Sequence, residues 1–179
     1  MAGLDSFLFN VIHGFSGQVK ILDWLAVFLA EYLGYFLIIW AIILIFKESS
    51  FQKRFYYFAL TAVSLILSRG LIAETIRFFY YRPRPFEALN FIPLINQDTV
   101  AAFPSGHAAF YFALTFAIFY VSRRWFYWFL AGAVLMGLAR VFIGVHWPLD
   151  ILAGALIGLF SVFMVKYTLA RTLKLKVSG

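Results

Sequence analysis

The sequence predicts an all-α, polytopic membrane helix bundle, and three observations carry that prediction. Hydrophobic residues make up 64% of the 179-residue chain and charged residues 13%. The mean hydropathy is +0.89, far above what a soluble domain of this length sustains. Apolar runs of membrane length recur between short polar breaks, and no composition shift marks a second, soluble unit. Residues 1–179 are therefore expected to form one membrane domain.

Taken in order, residues 3–14 place Leu4, Phe7, Leu8, Val11 and Ile12 at helical spacing around Asp5, Ser6 and Asn10. This describes an amphipathic helix too short to span, lying in the membrane interface. Gly14, Ser16 and Gly17 break the pattern, and a second apolar run covers residues 21–46, with Asp23, Glu31 and Gly34 inside it. At about 1.5 Å per residue against a hydrocarbon core of about 30 Å, its later part, residues 28–46, suffices to cross. The earlier part reads as a tilted or re-entrant half helix.

The next span, residues 56–80, carries Arg69, Glu74 and Arg77, and charges inside a membrane helix should face the bundle interior or a wet cavity. A long polar loop follows, from Arg82 to Pro104. Three further spans are expected at residues 105–121, 125–143 and 148–165, for five full spans plus the N-terminal interfacial or re-entrant segment. Gly154 and Gly158 form a small-xxx-small pair suited to close packing within the chain.

Charge sets the orientation. The formal net charge is +7, from 15 Lys and Arg against 8 Asp and Glu. In a membrane chain that excess reflects topology and an anionic ligand, not nucleic acid. Lys47, Lys53 and Arg54, then Arg123 and Arg124, then Lys166, Arg171, Lys174 and Lys176 fall by parity on one side. That side should be cytoplasmic, in the plasma or inner membrane of the cell. The chain contains no cysteine, which excludes disulfides and thiolate metal sites. The N-terminus lacks the basic region and cleavage site of a removable signal peptide.

On the opposite, external side the polar residues are Arg77, Arg84, Ser105, Gly106, His107, Arg140, His146 and Asp150. Three arginines imply a multiply anionic ligand, and phosphate or diphosphate matches their planar, bidentate donors. Ser105 reads as a helix N-cap, and Gly106 lets a ligand approach the free N–H groups of the first turn. Pro148 suits the first turn of a helix beginning after Trp147, which places Asp150 beside His146. Two histidines at an anion site divide into a nucleophile and an acid. His146 takes the first role because it has the carboxylate partner, and His107 the second. Elsewhere, His13 reads as a surface residue, Glu74 as a partner of Arg77 one turn away, and Glu31 as a candidate partner for Arg69.

The ordered set Arg77-x6-Arg84-Pro85, Pro104-Ser105-Gly106-His107 and Arg140-x5-His146-x3-Asp150 resembles the three-part signature of the type 2 phosphatidic acid phosphatase (PAP2) superfamily, which includes the vanadium haloperoxidases. The resemblance implies a metal-independent lipid phosphatase working through a phosphohistidine at His146. It makes His107 the general acid and Asp150 the group orienting His146. Phosphate would be bound by Arg77, Arg84, Ser105, Gly106 and Arg140, with no cofactor. Arg77 stands where the family usually has Lys, and Ala139 where it has Ser. The small size, the external site and the N-terminal pattern ending in Leu22-Asp23 are similar to bacterial undecaprenyl diphosphate phosphatases of the bacitracin-resistance type. Phosphatidylglycerophosphate, phosphatidic acid and lipid A phosphates are alternative substrates. Phosphotransfer to another acceptor and non-hydrolytic binding or transport of a lipid phosphate are alternative activities.

Overall fold

The computed structural model describes residues 2–97 and 99–172; Asp98 and the tail cations Lys174 and Lys176 lie outside the described residues. Among the described residues every regular element is helical. In chain order these are α1 (Ala2–His13), α2 (Lys20–Glu31), α3 (Leu33–Phe46), α4 (Phe51–Leu65), a π-helical segment (Ile66–Ala73), α5 (Glu74–Phe79), α6 (Pro85–Ala88), α7 (Gly106–Val121), α8 (Arg123–Phe142) and α9 (Pro148–Thr172). From α4 through α5 the helix is continuous, over Phe51–Phe79.

The expected five full spans are not all present. Three helices among the described residues are long and apolar enough to cross a membrane: Phe51–Phe79, Arg123–Phe142 and Pro148–Arg171. A fourth is reached if α2 and α3 count as one broken span, since they bend by 41° at Tyr32. The bend falls inside the run expected to cross as residues 28–46. It brings Glu31 to 3.5 Å from Arg140, and it sets Gly34 where an added Cβ would overlap the Tyr111 hydroxyl. The other shortfall is α7, whose 16 residues cover about 24 Å, less than the hydrocarbon core of about 30 Å. Its first residue, Gly106, lies against Arg69, which is roughly 15 Å before the Phe79 end of its own helix. The mouth of α7 is therefore recessed.

α7 is the central post of the bundle and packs against α9, α8, α4 and the π segment. It is apolar all round, as a fully enclosed helix should be, and buries Ala108, Ala109, Ala113 and Ala117. Close approach to α9 depends on Gly154 and Gly158. A Cβ at Gly154 would stand 2.5 Å from the Ser105 carbonyl oxygen, and one at Gly158 would stand 2.6 Å from the Ala113 nitrogen. The small-xxx-small pair thus serves packing within the chain. At the far end of this seam Tyr56, Ala117 and Val165 share one core cluster, with Lys166 over the Tyr120 ring and Arg123 over Phe119. The basic loops gather at that end, opposite the mouth of α7.

α1 differs from a simple interfacial helix. Leu4, Phe7 and Val11 are exposed, whereas Phe9 and the carboxylate of Asp5 are buried against α8 and α9. The apolar stripe faces outward, as suits lipid, and the lone acid faces protein. Asp5 Oδ1 accepts from the Leu149 N–H at 3.0 Å, and Oδ2 pairs with Arg82. His13 is not a free surface residue either: it stacks on Phe9, meets Phe91, and donates from Nδ1 to the Phe142 carbonyl at 2.7 Å.

Two substitutions test this packing by thermal unfolding in detergent. Gly154→Val should lower stability by about 1–3 kcal/mol through overpacking, while Gly70→Ala, whose added methyl meets nothing nearer than 4.0 Å, should not. Asp5→Ala leaves Arg82 with Asp150 as its remaining carboxylate and the Leu149 N–H unpaired, and should cost about 1–3 kcal/mol.

Candidate active site

The site is built where two helices begin side by side. Ser105 has extended backbone and caps α7, its Oγ accepting from the Ala108 N–H at 3.4 Å, while its own N–H donates to the Asp150 carbonyl at 3.0 Å. That second bond ties the mouth of α7 to the first turn of α9. Upstream, α8 ends at Phe142 and Gly144 takes φ +87°, a left-handed conformation that favours glycine and turns the chain back toward α9. Pro148 then opens α9, as its fixed φ and missing N–H allow.

Within this turn His146 and Asp150 are almost wholly buried. Asp150 Oδ2 accepts from the Trp147 N–H at 2.8 Å, and Oδ1 accepts from Arg82 Nη1 at 2.6 Å. His146 Nδ1 faces Oδ2 at 3.5 Å, outside normal hydrogen-bond length. The pair is adjacent rather than closed. Trp147 is fixed from its other side, with Nε1 donating to the Pro83 carbonyl at 3.0 Å and its ring beneath Arg82.

Burial holds the His146 imidazole well below the ordinary histidine range, joined by the positive charges of Arg140, Arg84 and Arg77 and opposed by the Ala102 carbonyl. The ring is consequently neutral at pH 7, with a lone pair to offer. For Arg82 burial opposes the charge, but Asp5 and Asp150 outweigh it and raise its pKa further.

The three sequence-identified arginines reach this place from three elements. Arg77 donates through Nε and Nη2 to the Pro104 carbonyl at 3.1 and 3.0 Å, and through Nη1 to Glu74 at 3.2 Å. Arg84 closes the start of α6 and donates to the Val100 and Val145 carbonyls. Arg140, 1% exposed, donates to Gln97 at 3.2 Å and approaches Glu31 at 3.5 Å, and its buried Nε has no hydrogen-bond partner. A deeply buried guanidinium N–H without a partner is a donor available to an anion. His107 is exposed within the chain, one residue beyond Gly106, and its neighbouring charged groups include Arg140, His146, Arg69 and Arg77.

The structure brings the eight residues singled out in the sequence together around the recessed mouth of α7 and the start of α9. Glu31 serves Arg140, not Arg69; Arg69 pairs with Glu74, which also binds Arg77 as expected. Sequence reasoning missed Asp5, Arg82 and Gln97. Arg82 lies between Arg77 and Arg84, where its spacing could have drawn notice, and Asp5 is the lone acid of its amphipathic helix. A cavity of about 610 Å³ adjoins the recess, walled by Ile76, Tyr80, Phe103, Trp147 and Leu149 over Asp5 and Arg82. Among the described residues no cluster of three or more His, Asp or Glu forms a metal-donor set.

Known proteins share both the pattern and the shape. Undecaprenyl-diphosphatase BcrC of Bacillus subtilis (strain 168) is 30% identical over 88% of this chain and 80% of its own length. Bacitracin transport permease protein BcrC of Bacillus licheniformis is 30% identical over 92% of this chain and 79% of its own. The crystal structure of Aquifex aeolicus LpxE is similar in fold, with a TM-score of 0.77 at 24% identity, covering 92% of this chain and 96% of that one. The PAP2 superfamily pattern matches residues 55–173, a stretch holding every residue of the recess from Arg77 to Asp150, and the chain belongs to that superfamily.

Proposed function

We propose that this PAP2 lipid phosphatase hydrolyses undecaprenyl diphosphate at the external face of the cell membrane, through a phosphohistidine and without a metal. The observation that carries the reading is the 3.0 Å bond from the Ser105 N–H to the Asp150 carbonyl, which joins the His107 and His146 turns at one recess. The 30% identity to an undecaprenyl-diphosphatase over most of both chains supports the substrate. The external face follows from the basic loops at the opposite end.

In this mechanism His146 Nδ1 keeps its proton toward Asp150, leaving the Nε2 lone pair to attack phosphorus. The N–P bond forms as the bond from phosphorus to the bridging oxygen breaks, and His107, which takes up a proton as the substrate's anionic oxygens bind beside it, gives that proton to the bridging oxygen. Arg77, Arg84, Arg140 and the first-turn N–H groups of α7 hold the three oxygens of the transferred phosphoryl group. Water then attacks the phosphohistidine, His107 takes its proton, and inorganic phosphate leaves. Asp150 stabilises the charge that His146 gains, and the 3.5 Å gap shortens as that charge develops.

The name of the permease relative favours a second reading, in which the fold moves or holds a lipid phosphate without cleaving it. The neutral, carboxylate-backed imidazole of His146 weighs against it.

Purified protein should release phosphate from undecaprenyl diphosphate faster than from phosphatidic acid, phosphatidylglycerophosphate or lipid A, and a chelator should leave the rate unchanged. His146→Ala should reduce kcat by at least about a thousandfold while the fold survives. Equal rates across lipids would refute the substrate, chelator sensitivity the mechanism, and an active His146→Ala protein the nucleophile.

A further inference from the structure

Arg69 has no part in the mechanism above. It stands in the π segment, inside a membrane-crossing helix, where a charge is expensive and marks a functional position by default. In an unbroken α-helix the eight residues from Arg69 to Arg77 advance about 80° past two full turns. The wider turns of the π segment advance less per residue, and both side chains reach the mouth of α7. Arg77 holds the Pro104 carbonyl, and Arg69 lies so close to Gly106 that an added Cβ would stand 2.6 Å from its Nε.

The two histidines have different arginine neighbours. Arg69 lies against Gly106, the residue before His107, whereas Arg84 Nη1 donates to the carbonyl of Val145, the residue before His146, at 3.1 Å. Arg84 thus belongs to the nucleophile's side and Arg69 to the acid's side. Glu74 pairs with Arg77 and with Nη1 of Arg69, which holds the two guanidiniums beside one another. Arg69 nevertheless remains 39% exposed, accessible to a ligand.

We propose that Arg69 binds the second, leaving phosphate of a diphosphate lipid beside His107 and thereby sets a preference for diphosphates over monophosphates. This rests on the hydrolase reading, with His107 protonating the leaving oxygen. When the bridging bond breaks, negative charge moves onto the leaving phosphate. A guanidinium that cannot lose its proton stabilises that charge most in the transition state. A monophosphate offers Arg69 no such group.

The test compares two substrates with one tail, farnesyl diphosphate and farnesyl monophosphate, by kcat/KM in detergent. Arg69→Gln should lower the diphosphate-to-monophosphate ratio by about 10- to 100-fold, the worth of a charge-assisted hydrogen-bond pair. Arg69→Lys, which keeps the charge without the fork, should recover part of that loss and guards against a misfolded Gln variant. In the unaltered protein, inorganic pyrophosphate should compete at least about tenfold better than inorganic phosphate, by the same interaction. A ratio unchanged in both variants, or equal inhibition by the two anions, overturns the role of Arg69 while leaving the hydrolase reading intact. An unaltered protein that cleaves neither farnesyl substrate nor undecaprenyl diphosphate overturns both.

Discussion

The bond between the Ser105 N–H and the Asp150 carbonyl is the constraint on which the rest of the molecule depends. It requires two helix starts to lie in contact, which the side chains of an ordinary helix pair would prevent. Gly154 and Gly158 remove them, and the alanines of α7 keep the opposing face shallow. Packing at the centre of the bundle and geometry at its polar end are therefore one problem. Whatever separates α7 from α9 also separates the two histidines.

A second consequence concerns charge. Burying His146, Asp150 and Arg140 together would be prohibitive for each alone. The chain offsets this by chaining carboxylates and guanidiniums, Asp5 to Arg82 to Asp150 on one side and Glu31 to Arg140 on the other. Each outer acid comes from a helix near the N-terminus, outside the central post. The periphery holds the charges so that the recess can present histidine in its neutral form.

Much of this was legible in the sequence, because the recess is assembled at helix boundaries. Prolines, glycines and caps at 83–85, 104–106 and 144–148 interrupt apolar runs, and an interruption is what a sequence displays most clearly. Parity of the basic loops then put these breaks at one end. Hydropathy measures how apolar a run is, not how deep its end sits, so it counts the short, recessed α7 as a full span, and it signals a half helix early in residues 21–46 without placing the bend at Tyr32. The π segment was equally invisible, since eight residues of widened helix scarcely alter the spacing of apolar residues. Asp5 and Arg82 meet across 77 positions, and Glu31 and Arg140 across 109. No local pattern encodes such pairs.

The positions of those acids also bear on how the chain is made. Arginines entering a bilayer singly are opposed by about 2.5–3.5 kcal/mol each at the point of insertion. Arg69 and Arg77 enter with Glu74 on the same helix, a carboxylate between them from the start. Arg140 has no acid on its own helix, and its carboxylate partner, Glu31, comes from the elbow of α2 and α3, far earlier in the chain. In chain order, each of these three arginines thus has its counter-charge on its own helix or on one that precedes it.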